Sequence, residues 1–146
     1  MTISKLGLTC IEVFEGLELQ VYKDIAGHPS IGYGHEIEQG EDFSEGITQS
    51  QAETILMNDL AVAEGAILRL VTAPLSQWQF DALVDFIYNE GQGSFANSTL
   101  LKLLNQGNYQ GAAAQLEIWD VSAGKVNLVL LARRRCERVI FTAGTT

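Results

Sequence analysis

Between residues 18 and 46 the sequence abandons helical periodicity, and it does not resume until Thr48. This interruption limits the chain to folds that set one small β-region among helices. The stretches "LQVY" (19–22) and "SIGYGHEI" (30–37) read as strands, and half of the 14 glycines lie within the first 46 residues. A turn is expected at Ala26-Gly27-His28-Pro29, which makes "DIAGHPSIGYGHEI" a hairpin holding Asp24, Ser30 and His35 close together. Ahead of it, Leu6, Cys10, Val13, Phe14 and Leu17 recur at helical spacing, with Gly16 placed as a stop. A first helix is therefore predicted over 3–15, with Glu15 in its last turn.

Everything after the β-region reads as helix. Thr48 and Gln51 have the form of a capping box, and Ala52, Ile55, Leu56, Ala63, Ala66, Ile67 and Leu70 make one apolar stripe to about residue 71. Ser76 with Gln79 opens "QWQFDALVDFIYNEG", apolar enough to be a central buried helix that ends at Gly91. Ser98 and Asn108 cap two shorter helices, and Asn127 begins a last one through about Phe141. The pattern is α+β, a small β-lobe followed by a helical lobe.

At 146 residues the chain is about one domain and buries about two-thirds of its unfolded surface without a metal or a disulfide. Cys10 and Cys136 lack a CxxC or a histidine at ligand spacing, so no metal site is expected and buried thiols are the default reading. No apolar run approaches the about 20 residues of a membrane span. The N-terminus reaches Glu12 before a signal-peptide core could form. Net charge is −9, with 11 acids against 2 bases in residues 1–60, which argues against nucleic acid as a partner. The basic run "ARRRCER" is the exception, and its usual reading is a surface patch for anions.

Some charges fall on apolar faces. Asp59 occupies a slot of the 52–70 stripe where an apolar residue is due, so it needs a partner, and His35 is the best candidate. Arg135 borders the face traced by Leu128 or Val129, Ala132, Val139 and Ile140, which calls for a carboxylate partner. Glu15 and Asp24 bracket the turn between the first helix and the hairpin. Paired carboxylates of this kind are the equipment of glycoside hydrolysis, where one protonates the leaving oxygen and the other activates water or attacks carbon.

The spacing Glu15-x8-Asp24-x5-Ser30, followed by "IGYGH", resembles the lysozymes of tailed phages (glycoside hydrolase family 24, the endolysins). So do "FIYNEGQGSFANSTLLKLLNQGNY", a tryptophan near "SAGK" and "RRRCERVIF", and the likeness runs nearly end to end. The resemblance implies a two-lobed lysozyme fold in one domain, with a cleft between the lobes. Residues 1–17 would form a first helix packed on the C-terminal lobe, 18–71 the β-lobe and connecting helix, and 72–146 the helical lobe. It further implies hydrolysis of the β-1,4 bond between N-acetylmuramic acid and N-acetylglucosamine of peptidoglycan, by inversion and without cofactor or metal. Glu15 would be the acid, and Asp24 with Ser30 would hold the attacking water. His35 with Asp59 would be a supporting ion pair, Arg135 the partner of Glu15, and Asn89 a residue hydrogen-bonding the sugar. The protein would be a monomer that binds glycan strands, neither nucleic acid nor membrane, made in the host cytoplasm and released to the wall through a holin. Alternatives are an inactive wall-binding module on the same fold and a lytic transglycosylase, which needs one acid only. Two departures stand out. Ser30 replaces the family's usual threonine, losing the methyl that restricts its rotamer, and the charge of −9 opposes an anionic wall. His28 and Pro29 load the turn unusually and serve no role in this scheme beyond stiffening it.

Overall fold

The computed structural model describes residues 1–144, which divide into two compact units. One comprises residues 9–61, the other residues 1–8 with the chain from Val62 onward. The mixed architecture is the expected α+β.

The 9–61 unit holds the greater part of α1 (Lys5–Glu15), a three-stranded antiparallel sheet and the start of α2 (Gln49–Leu70). Gly16 ends α1 with φ +69°, its N–H bonded to the Glu12 carbonyl, a left-handed stop that glycine adopts without strain. The chain then forms β1 (Glu18–Lys23), β2 (Pro29–Gly32) and β3 (His35–Glu36) as a meander. Tyr22 lies opposite Ser30, and Ser30 opposite Glu36, so these three share a face of the sheet. The turn sits slightly earlier than expected, closed by the Asp24 N–H on the His28 carbonyl at 2.9 Å, with Gly27 at φ +85°. The capping box at the start of α2 is present: Gln51 N–H donates to Thr48 Oγ1 (3.2 Å), and Thr48 N–H to Gln51 Oε1 (2.8 Å).

The second unit is built around α3 (Gln77–Glu90), whose residues from Gln79 through Ile87 are all buried. Its N-cap Ser76 and Gln79 form the anticipated reciprocal box, and Gly91 follows its end. After it come α4 (Gln92–Ala96), α5 (Thr99–Asn105), α6 (Tyr109–Leu116), a short hairpin β4 (Val121–Ser122) and β5 (Lys125–Val126), and α7 (Leu128–Ala143). Ser98, Asn108 and Asn127 cap α5, α6 and α7 through their side chains. Phe86 meets Phe95 and Trp119 edge-on, while Phe80, Leu100, Leu104, Leu116 and Phe141 complete the core. The start of α1 belongs here too. Buried Asp81 accepts from the Ser4 hydroxyl, from Ser4 N–H (2.9 Å) and from Gln77 Nε2 (2.8 Å). Gly7 permits that approach, because a Cβ there would lie 2.8 Å from Asp81 Cβ. No helix among the described residues is long and apolar enough to cross a membrane.

The register of α7 corrects the sequence reading. Leu128, Val129 and Val139 are exposed, and the inward face instead carries Arg133, Arg134, Glu137 and Phe141. Arg133 donates to Asp85 Oδ1 of α3 through Nε (2.9 Å) and Nη2 (2.6 Å). Arg134, fully buried, lies over the Phe86 ring at 5.0 Å and pairs with Glu137 (2.8 Å) and Glu90 (3.3 Å). Arg135 faces outward, 63% exposed, with Glu117 at 3.8 Å. Two of the four arginines of the basic run, Arg133 and Arg134, are therefore internal counter-charges for buried or half-buried acids, while Arg135 and Arg138 stay at the surface with Glu117. Burial pushes Glu137 well above the usual carboxylate range and the Asp85 charge adds to this, with Arg134 and Arg133 opposing. Asp85 is raised by burial too, against Arg133.

Candidate active site

Five of the residues singled out from sequence, Glu15, Asp24, Ser30, His35 and Asp59, fall in the 9–61 unit; Asn89 and Arg135 belong to the other. Glu15 is the last residue of α1, half-buried, and the Gly16 stop turns the chain directly into β1. Asp24 follows β1 and is also half-buried. Its Oδ1 accepts the His28 backbone N–H at 2.8 Å, so the carboxylate is fixed by the turn that it closes.

Tyr22 lies on β1, between the two acids in sequence. Burial raises its phenol above the ordinary value, and the negative charges of Glu15, Glu18 and Asp24 raise it further. This electrostatic link of Tyr22 to both acids is a feature that the sequence reading missed. Ser30, opposite Tyr22 in the register, is buried, and its hydroxyl donates to the His28 carbonyl at 3.3 Å.

Asp59 lies at the edge of the buried stripe of α2, which runs through Ala52, Leu56, Leu60, Ala63, Ala66 and Ile67. His35 Nδ1 is 2.8 Å from Asp59 Oδ2, the pairing expected of these two side chains. A second carboxylate, unforeseen, meets the other ring nitrogen: Nε2 is 2.9 Å from Glu41 Oε2. Burial works to lower the His35 pKa, but the hydrogen bonds to Glu41 and Asp59 and their charges together raise it. Glu41 is lowered, first by the Glu38 N–H it accepts and then by His35. Burial raises Asp59 while His35 pulls it back. Two carboxylates facing the two nitrogens favour the protonated ring, and the contacts tie β3 to the following loop and to α2.

In the other unit Asn89 is exposed at the end of α3, and its Oδ1 accepts from Arg134 Nη2 at 2.8 Å, which sets the orientation of its amide. Arg135, expected beside Glu15, has Glu117 as its ion-pair partner, because the helical register turns Arg133 and Arg134 inward in its place.

Comparisons with known proteins give the family. The family model "Phage lysozyme" matches residues 12–137. The endolysin of Salmonella phage P22 is 43% identical over 97% of this chain and 98% of its own length. That of Bacillus phage PZA is 42% identical over 99% of this chain and 57% of its own length. The chain thus spans a little over half the length of the Bacillus phage relatives that it matches. A crystal structure of a P22 lysozyme mutant superposes with a TM-score of 0.87, at 39% identity, covering 97% of this chain and 99% of that one. On its sequence and on its fold, the chain belongs to the phage lysozyme family.

Proposed function

We propose that this protein is an endolysin, a muramidase that cleaves the β-1,4 bond between N-acetylmuramic acid and N-acetylglucosamine in peptidoglycan. The observation that carries the reading is the pair of half-buried carboxylates that bracket β1, Glu15 as the last residue of α1 and Asp24 fixed in the turn after the strand, in a chain of the phage lysozyme family. Glu15 serves as the acid that protonates the leaving oxygen, and Asp24 as the base that activates water. Ser30 positions that water, and its buried, turn-anchored hydroxyl supports the role. The scheme inverts the anomeric centre, with no covalent intermediate. Asn89 contributes a hydrogen bond to sugar. The protein acts as a monomer on glycan strands after reaching the wall, through a holin in the lytic cycle of a phage.

The test is clearing of purified peptidoglycan followed by mass and anomer analysis of the products. Hydrolysed, inverted ends are expected from the parent, and none from Glu15→Gln, whose amide keeps the shape but has no proton to give. Products ending in 1,6-anhydro sugar, or near-normal clearing by Glu15→Gln, would overturn the scheme.

A further inference from the structure

His28 does not enter the proposed chemistry, yet its imidazole is placed differently from that of His35. The two nitrogens of His35 address carboxylates on opposite sides of the ring, which suits a proton on each. In His28 a single nitrogen, Nδ1, faces two carboxylates at once: Asp24 Oδ2 at 3.7 Å and Glu36 Oε1 at 3.5 Å. One N–H cannot point at both, and neither distance is that of a hydrogen bond. All three ligand atoms lie within 4.8 Å of one another. Zinc with bonds of 2.0–2.1 Å holds tetrahedral ligands about 3.3 Å apart, close to the two histidine distances. A small inward movement of the exposed Glu36 side chain toward the half-buried Asp24 is all the remaining edge requires.

The backbone prepares this set. Asp24 and His28 close the β1–β2 turn on each other, Asp24 N–H to His28 carbonyl and His28 N–H to Asp24 Oδ1. That second bond occupies Oδ1 and leaves Oδ2 toward the imidazole. Pro29 fixes φ immediately after His28 and accepts the Ile37 N–H at 2.9 Å, which brings β3 and Glu36 alongside. One imidazole nitrogen with two carboxylates suits a borderline ion such as Zn2+ better than Mg2+, which prefers oxygen ligands and keeps its water.

We propose that Asp24, His28 and Glu36 form a zinc-binding site on the sheet, and that zinc there switches the enzyme off by occupying the carboxylate oxygen of Asp24. The inhibitory half rests on Asp24 acting as the base, as argued above; the binding half does not.

Zinc chloride titrated calorimetrically into the full chain near neutral pH is expected to bind one ion per molecule, with magnesium chloride giving no comparable signal. In parallel, each variant's clearing of peptidoglycan is compared with and without zinc. His28→Asn is expected to lose at least about 10-fold in zinc affinity, since even outer partners of a metal site carry about 10- to 100-fold. It should also escape the inhibition, expected to be at least about 10-fold, that the parent shows at saturating zinc. Glu36→Gln should weaken binding in the same direction. Failure of the parent to bind zinc stoichiometrically, or equal affinity in His28→Asn, would overturn the site. Histidine-dependent binding without any effect on clearing would uphold the site and count instead against Asp24 as the base.

Discussion

Replacing His35 by asparagine removes a cation gripped from two sides, and the structure sets both the size of the loss and its pH dependence. A hydrogen bond to a charged group contributes about 1.5–3 kcal/mol. The Asp59 side belongs in that range, since the His35 side chain is 12% exposed and that of Asp59 26%. Glu41, at 36%, is screened by solvent and adds about 0.2–1 kcal/mol. Together these give about 2–4 kcal/mol, or a fall of about 5–15 °C in melting temperature for a chain of this length. The pKa of His35 is raised in the folded protein. Its charge therefore stabilises fully below the unfolded value of about 6.5, and that contribution is lost as pH rises through the folded value. A neutral ring carries one N–H and keeps one of its two bonds. Thermal unfolding followed by circular dichroism at about pH 6 and about pH 9 should show parent and variant furthest apart at the lower pH. An equal gap at both, or a fall of less than about 1 °C at the lower pH, would refute the clamp.

Ser30→Ala should clear peptidoglycan about 100-fold more slowly or worse while unfolding at nearly the parent temperature, because Asp24 still attracts water without its second anchor; parent-like rates would remove Ser30 from the reaction. Glu137→Gln keeps the shape of a carboxyl that the fold holds well above its usual pKa. The folded state keeps a proton there that the unfolded chain releases above about pH 4.5, so stability falls as pH rises through that window. The glutamine variant should lose this slope and be at least as stable at neutral pH in denaturant titrations, whereas a loss above about 3 kcal/mol would mean that Glu137 works ionised against the arginines.

What the sequence made legible is what local chemistry decides. Ser76, Ser98, Asn108 and Asn127 announce their helices because a cap satisfies N–H groups two or three residues away. Gly16 and Gly91 mark ends for the same reason of range, each supplying a left-handed φ. The hairpin β4–β5 escaped notice because its turn uses Ala123 and Gly124, both at positive φ, and alanine is no signal for that conformation. The five residues of α4 are too few for a period to show.

The misplaced register of α7 has a different origin. Hydrophobic periodicity finds the inward face only if that face is apolar, whereas here it carries Arg133, Arg134 and Glu137. These are tolerated because α3 and its end bring Asp85 and Glu90, 48 and 44 residues earlier in the chain, to meet the guanidiniums. Three carboxylates then meet two guanidiniums, and burial among them raises the pKa of Glu137. No window along α7 contains that information, so the inward place was given to Arg135, whereas Arg133 and Arg134 occupy it. The same limit explains Glu41 and Glu36. Each reaches a histidine across the sheet or its loop, and a spacing of 6 residues from His35 or 8 from His28 has no meaning until the strands are paired. Asp24 and Glu15 were singled out on a spacing that resembles the family's, whereas Tyr22 shows its place only when β1 pairs with β2 and sets it across from Ser30.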